Sequence, residues 1–202
     1  MYPTSGQLVL AFHGCDQSVK DEVISKRTRL RPSQNRWDWL GHGVYFWEAD
    51  PKRAIEFARI LKNRPKSHLK NPSVIGAVID LGNCLNLLNR SHLVLLKRSY
   101  VGLQKAMKLK SKPMPANRNR FGNNDRLLRD LDCAAINYLH EATKAENQPQ
   151  FDSVRAAFWE GKDLYPNAGF RELNHIQICV RNPNCIKGYF DPLSHVSAWP
   201  RV

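Results

Sequence analysis

Acidic residues are scarce in this sequence. The 202 residues contain 18 Asp and Glu against 31 Lys and Arg, which gives a formal net charge of +13. Such an excess of positive charge favours a polyanionic partner, which means RNA, DNA, an acidic protein or an anionic membrane surface. A small anionic substrate alone does not account for so large an excess.

Paired cysteines and long apolar runs are also missing. The five cysteines are scattered and form no Cys-x-x-Cys pair, so we expect no zinc site, no redox motif and a reducing, cytoplasmic environment. No stretch approaches 18 apolar residues, and residues 1–7 lack the basic head of a signal peptide. We therefore expect neither a metal nor a membrane partner.

The chain is long enough, and with 42% hydrophobic residues apolar enough, to bury a core. We predict one α+β domain over residues 1–202, with a basic helix-loop insertion at about residues 90–146. The predicted strands are residues 8–12, 44–47, 74–81, 174–180 and 185–190. The predicted helices are residues 16–26, 51–62, 92–110 and 125–145, and residues 151–173 are predicted to be irregular. In the first helix, Val19, Val23 and Ile24 are expected to face inward.

Two short motifs stand at the ends of the first two predicted strands. The apolar run LVLAF is followed by His13 and Gly14, and about thirty residues later Gly43 precedes the run VYFW, which contains Tyr45. Glycine lets the backbone approach a flat ligand closely, and a tyrosine ring offers that ligand a stacking surface. The two motifs together predict a ligand site between these strands.

This ordered pair of motifs resembles the NAD-binding half of ADP-ribosyltransferases, in the His-Tyr-Glu branch that includes poly(ADP-ribose) polymerases and diphtheria-toxin-like enzymes. The resemblance implies a split, mostly antiparallel sheet around an NAD cleft. It also implies that His13 binds the nicotinamide ribose, that Gly14 and Gly43 approach the ligand, and that Tyr45 and Phe57 form its aromatic walls. NAD is then a substrate, and no metal is required.

The third motif departs from the family. The stretch QICVRNPNCI, residues 177–186, has the family's spacing but places Gln177 where the family has its catalytic glutamate. Glutamine keeps a hydrogen bond but loses the charge, which points to mono-transfer or to lost activity. Glu172 and Glu160 precede this strand, in the loop that contacts the acceptor in the family, and are alternative acids. Gln177 is the preferred equivalent.

The acceptor is suggested by a basic segment. Residues 97–129 contain ten Lys or Arg and one acid, Asp125. The candidate nucleic-acid-binding residues are Lys108, Lys110, Lys112, Arg118, Arg120 and Phe121. Cations of this density bind phosphates, and Phe121 can stack on a base, although a solvated face has the same composition.

The combination resembles small nucleic-acid-modifying transferase toxins of toxin–antitoxin and antiphage systems. We therefore expect a mono-ADP-ribosyltransferase acting on RNA, with an antitoxin protein as a possible partner. Two other functions stay open: a protein-directed mono-ADP-ribosyltransferase, and a non-catalytic module that binds NAD or RNA.

Overall fold

The computed structural model describes residues 8–119 and 125–192 of the chain, and these form an α+β structure. The strands of the main sheet are β1 (Leu8–Asp16), β2 (Val44–Glu48), β3 (Pro72–Asp80), β4 (Cys84–Asn86), β7 (Ser153–Phe158), β8 (His175–Val180) and β9 (Ile186–Phe190). Two short strands, β5 (Asn117–Arg118) and β6 (Leu128–Arg129), pair separately. The helices are α1 (Gln17–Ile24), α2 (Pro51–Lys62), α3 (Arg90–Leu109) and α4 (Asp130–Ala145), with a 3-10 turn at Pro183–Cys185.

The main sheet has the strand order β4-β7-β8-β2-β1-β3-β9 and is antiparallel except between β4 and β7. Strands β1 and β3 pair along their whole length, from Leu8 opposite Asp80 to Asp16 opposite Pro72. By contrast, β1 and β2 pair only at Ala11 with Glu48 and at Phe12 with Trp47. The centre of the sheet is therefore joined by a short ladder, and His13 lies directly beyond it.

Alternation along the strands divides the buried side chains between the two faces of the sheet. We call the first face the one that carries Ala11, Phe46 and Ile178, which pack with Val23 of α1. The second face carries Val154, Cys179 and Tyr45, which pack with apolar residues of α4. Helix α2 also covers the second face, where its chain passes Gly14. Helix α3 lies outside, against α4.

Local capping sets where most helices begin. The carboxylate of Asp50 accepts a hydrogen bond from the Arg53 amide at 2.8 Å, and Pro51 occupies the first turn, so α2 spans the predicted residues. Asp16 caps α1 in the same way, through the Ser18 amide. Helix α4 has no side-chain cap of its own. Instead, the Asn117 side chain accepts bonds from the Leu131 and Asp132 amides, at 3.0 and 3.2 Å.

Three predictions about these elements were wrong. Helix α4 begins at Asp130 rather than at residue 125, because the Asp125 carboxylate binds the Gly161 amide instead of capping a helix. Val19 and Ile24 of α1 are exposed, at 37% and 36%, since this short helix buries only Val23. Strand β7 lies in the segment predicted to be irregular. The other boundaries differ from the predictions by a few residues.

Candidate functional site

The end of the β1–β2 ladder brings His13 and Tyr45 into contact. The Nδ1 atom of His13 lies 2.7 Å from the Tyr45 carbonyl oxygen, which can only accept a hydrogen bond. Nδ1 therefore carries a proton. Burial lowers the pKa of His13, so the neutral ring is favoured and its Nε2 is an acceptor. An acceptor of this kind can bind a hydroxyl group.

The side chain of Tyr45 extends to the second face. Its hydroxyl donates to the Gly41 carbonyl and accepts from the Leu40 amide, both at 2.7 Å. Burial raises the pKa of Tyr45 well above its usual value, so the phenol stays protonated. These two bonds fix the glycine-containing turn at residues 41–43. The Tyr45 ring is partly buried beside the cluster that contains Cys179.

Gly14 and Gly43 permit close packing within the protein. A Cβ atom at Gly14 would overlap the Ala54 carbonyl oxygen of α2. At Gly43 it would lie 2.5 Å from the Cys179 sulfur and 2.6 Å from the Val180 oxygen. Both distances are far below van der Waals contact, so any side chain here would displace α2 or β8. The structure thus gives each glycine a packing role, and a ligand-binding role remains a prediction.

Gln177 lies on β8, opposite Trp47 of β2 and Ala156 of β7, and is buried at 9% exposure. Strand alternation places it on the second face with Tyr45. The His13 ring belongs to the first face, in edge contact with Phe46 at a centroid distance of 5.8 Å. The three predicted catalytic residues therefore occupy three adjacent strands. Tyr45 and Gln177 share the second face, whereas the His13 side chain contacts Tyr45 through the backbone carbonyl of Tyr45.

A buried polar cluster lies next to Gln177 on the second face. The Arg53 guanidinium of α2 donates to the Glu160 carboxylate at 2.9 Å, and both side chains are almost fully buried. His175 Nδ1 lies 2.6 Å from the Leu173 oxygen and 3.7 Å from the same carboxylate. Burial lowers the pKa of His175. We call Arg53, Glu160 and His175 the buried polar cluster.

Several nitrogens of this region have no hydrogen-bond partner among the described residues. They are Trp47 Nε1, Arg53 Nε and Nη1, and His175 Nε2. A buried polar atom without a partner costs about 1–3 kcal/mol. Sequence reasoning selected Glu160 but missed Arg53 and His175. The sequence signal that could have indicated Arg53 is its position next to Ala54, which belongs to the apolar stripe of α2.

Two other predicted site residues lie near the cluster. The Phe57 ring stands 4.9 Å from Trp47, between centroids, and is partly exposed, so it forms an aromatic pair there. Glu172 is exposed, and its amide donates to the Lys162 carbonyl. Of the two acids proposed for the acceptor loop, Glu160 is therefore committed to Arg53, while the carboxylate of Glu172 faces solvent.

The basic segment is accessible where the structure describes it. Lys108, Lys110, Lys112 and Arg118 are all exposed, at the end of α3 and beyond it. Arg120 and Phe121 lie outside the described residues. Arg118 is not a free cation, because its Nη2 binds the Asp130 carboxylate at 3.1 Å.

The comparisons with known proteins give little functional information. No protein-family model matches the chain, and no solved structure does. A relative from Methanocaldococcus jannaschii, named uncharacterized protein MJ0359, is 27% identical over 195 residues, covering 87% of this chain and 83% of the relative. In residues 8–119 and 125–192, no helix is long and apolar enough to cross a membrane. The same residues bring together no group of three or more His, Cys, Asp or Glu side chains suited to a metal.

Proposed function

We propose that this protein is a mono-ADP-ribosyltransferase that uses NAD as its substrate and transfers ADP-ribose to a nucleic acid, most favourably RNA. The observation that carries the proposal is that His13, Tyr45 and Gln177 lie on the adjacent strands β1, β2 and β8. The His13 side chain lies on the opposite face of the sheet from the other two and is bonded to the backbone carbonyl of Tyr45. The motifs that suggested the activity are distant in sequence, and their strands are neighbours in the sheet.

The proposed reaction requires the protein to bind NAD, to form hydrogen bonds with its ribose and to admit one nucleophile. The bond between nicotinamide and the ribose C1′ breaks, and its electron pair leaves with nicotinamide. A nucleophilic atom of the acceptor bonds to C1′ and releases its proton to solvent. The ribose carbon gains positive character between these events, as in glycoside cleavage. The neutral Nε2 of His13 suits a ribose hydroxyl, and Gln177 supplies a hydrogen bond without charge.

The lack of a carboxylate at Gln177 favours a single transfer over chain elongation. Glu160 is one acid of the proposed acceptor loop, but its negative charge is balanced by Arg53. Glu172 keeps an exposed carboxylate and is the better candidate for contact with an acceptor. These placements support a site that positions its substrates rather than one that activates the nucleophile strongly.

The exposed basic segment supports a nucleic-acid acceptor. Four of its candidate cations, Lys108, Lys110, Lys112 and Arg118, lie at the surface, where they can neutralise phosphates. RNA is favoured over duplex DNA because the bases of single strands are accessible without duplex opening. In this proposal the protein is a toxin, and an antitoxin protein is its natural partner.

A protein acceptor is the second candidate, and a specific surface favours it. The loop between β7 and β8 exposes Trp159, Tyr165 and Phe170 by 56%, 56% and 62%. Exposed aromatic groups on one loop are typical of protein-binding surfaces as well as of base-stacking surfaces. The same experiment distinguishes the two acceptors.

The test is to incubate the purified protein with NAD labelled in its adenylate half and with total cell lysate. We expect nicotinamide release together with label that RNase removes and protease does not. Label that only protease removes identifies the protein-directed enzyme. If NAD binds without any nicotinamide release, the protein is a binding module and the proposed activity is wrong.

His13→Ala is the matched variant for this assay. We expect it to abolish nicotinamide release while the fold is retained, because His13 contributes one hydrogen bond to the core. His68→Ala is the control, since His68 is exposed on the connection between α2 and β3. Equal activity of the two variants would remove His13 from the site. Circular dichroism and urea unfolding establish that each variant is folded.

A further inference from the structure

A cavity of about 540 Å³ lies between the glycine turn at residues 41–43, the start of α4 and residues 115–118. Its polar lining consists of Arg36, His42, Arg118, Asp130, Cys133 and Asn137. Pockets for small ligands have volumes of about 300–1,000 Å³, so this one suits a single nucleotide unit. None of the proposed catalytic residues lines it.

Two arginines contact one carboxylate at this cavity. Asp130 accepts a hydrogen bond from Arg118 Nη2 at 3.1 Å and forms an ion pair with Arg36, whose Nε lies 3.0 Å from its Oδ1. The Asp130 side chain is only 9% exposed, whereas those of Arg36 and Arg118 are 72% and 50% exposed. A buried carboxylate requires its partners, so both guanidinium groups contact Asp130 at the rim of the cavity.

These arginines have hydrogen-bonding capacity left over. Each guanidinium carries five N–H donors, of which Arg118 donates one to Asp130, while Arg36 contacts Asp130 as an ion pair. Two positive charges against one negative charge leave the rim positive. Exposed guanidinium groups that share one anchoring carboxylate are suited to phosphate, which they bind with several charge-assisted bonds.

The cavity is also connected to the two proposed functional regions. On one side, the Asn137 side chain accepts a bond from the His42 amide at 3.1 Å, which docks the glycine turn on α4, and Tyr45 holds the same turn through Gly41. On the other side, Pro115 and Ala116 continue directly from the basic residues that follow α3. The cavity thus lies between Tyr45 and the exposed cations.

We infer that this cavity binds the phosphate group of a nucleotide, with Arg36 and Arg118 as its ligands. Continuity with the basic segment assigns that phosphate to the RNA acceptor, and this assignment rests on the proposed function. The phosphate binding itself does not, because the cavity is formed by residues outside the proposed NAD site.

The test adds a negative charge to the cavity without removing a partner of Asp130. Ala116 is an exposed lining residue, so Ala116→Glu and the neutral, similarly sized Ala116→Gln form a matched pair. Calorimetry measures the binding of 5′-AMP and of adenosine to each variant. We expect Ala116→Glu to weaken AMP binding at least about tenfold relative to Ala116→Gln, with little change for adenosine.

A second pair of variants tests the arginines directly. We expect the double change Arg36→Gln and Arg118→Gln to remove the preference for AMP over adenosine. The double change Arg59→Gln and Lys62→Gln, at two exposed positions on α2, is the charge-matched control and should keep that preference. The inference is overturned if the wild type binds AMP and adenosine equally, or if Ala116→Glu and Ala116→Gln bind AMP alike.

Further measurements identify the source of the phosphate. Selective loss of affinity for a single-stranded RNA oligomer in Ala116→Glu supports the acceptor, whereas a rise in the KM for NAD with unchanged RNA affinity supports the dinucleotide and removes the RNA assignment. Failure of the proposed activity appears separately, as an absence of nicotinamide release by the wild type. In that case AMP binding through Arg36 and Arg118 still stands.

Discussion

The two faces of the central sheet bury polar groups in different ways. The first face is apolar around Ala11, Phe46 and Ile178, and the Nδ1 of its histidine, His13, is bonded to the Tyr45 carbonyl. The second face carries the buried polar cluster beside Gln177. Among the described residues, the buried side-chain nitrogens without a partner belong to the second face, its helices or its adjoining loops.

This difference places the partnerless buried nitrogens on or beside the second face, whereas the first face contributes His13 to the proposed site. Burying polar atoms without partners costs free energy, and proteins accept this cost where a ligand or a specific geometry is needed. The second face also contains Tyr45 and borders the cavity with Arg36 and Arg118. The contrast between the faces can be tested by substitutions that remove polar groups from the second face.

The largest effect is expected from breaking the buried ion pair. Glu160→Gln leaves the Arg53 guanidinium buried without its compensating charge, and we expect a loss of about 3–5 kcal/mol in the free energy of unfolding. Urea denaturation measures the change. Glu56→Gln, at an exposed position on α2, is the control and should stay within about 0.5 kcal/mol of the wild type.

The double variant Arg53→Met with Glu160→Gln sharpens this test. If the cost comes from an unpaired charge, the double variant is more stable than Glu160→Gln alone. A loss of less than about 1 kcal/mol in Glu160→Gln would mean that the charge is screened by solvent. In that case the buried ion pair of the second face would not cost more free energy to break than a polar contact of the first face.

A smaller effect is expected at His140 of α4, which is 3% exposed and has no partner for either ring nitrogen among the described residues. Burial lowers its pKa from 6.5 to about 3, so the folded state keeps the ring neutral. Below pH 6.5 His140 becomes protonated in the unfolded chain but stays neutral in the folded state. The free energy of unfolding therefore decreases as the pH is lowered. Over the 1.5 units from pH 6.5 to 5, this group contributes a loss of up to about 2 kcal/mol.

His140→Leu removes that contribution. We expect the variant to match or exceed the wild type in stability at pH 7.5 and to lose less on acidification to pH 5. Unfolding curves at several pH values measure both quantities. The pKa values of His13 and His175 are lowered as well, so the variant keeps some acid sensitivity. Parallel pH profiles for His140→Leu and the wild type would show that His140 is solvated.

The smallest effect is expected for Tyr45→Phe. The change removes the hydroxyl that bonds the Leu40 amide and the Gly41 carbonyl, at a cost of about 1–2 kcal/mol. It keeps the ring, so the proposed NAD turnover should persist. Urea midpoints and nicotinamide release measure the two expectations, with the exposed Tyr165→Phe as the control. Lost turnover at unchanged stability would give the hydroxyl a direct role in the reaction.

Local sequence signals predicted the elements that depend on local physics. Helix α2 follows from an Asp50 cap, Pro51 in the first turn and an apolar stripe, all within a few residues. The β-branched run at residues 74–81 likewise predicted β3, and the observed strand is displaced by one or two residues. The motif around Tyr45 correctly predicted a short strand that leads into this helix.

Tertiary contacts decided the remainder. Asp125 has the composition of a helix cap, but its carboxylate binds Gly161 and Arg171, far along the chain. Strand β7 has a weak strand pattern, and its Arg155 is satisfied by Glu48, 107 positions away. The same separation of 107 positions divides Arg53 from Glu160, so no short pattern could indicate the buried polar cluster.

Asn117 gives helix α4 its starting cap from outside the helix. The first amides of α4, those of Leu131 and Asp132, are hydrogen-bonded only as long as residues 115–118 stay docked. The same segment forms one wall of the cavity. A ligand in the cavity that stabilises this wall is therefore expected to slow hydrogen exchange at these two amides. Their exchange rates would then measure how much of the protein has ligand bound in the cavity.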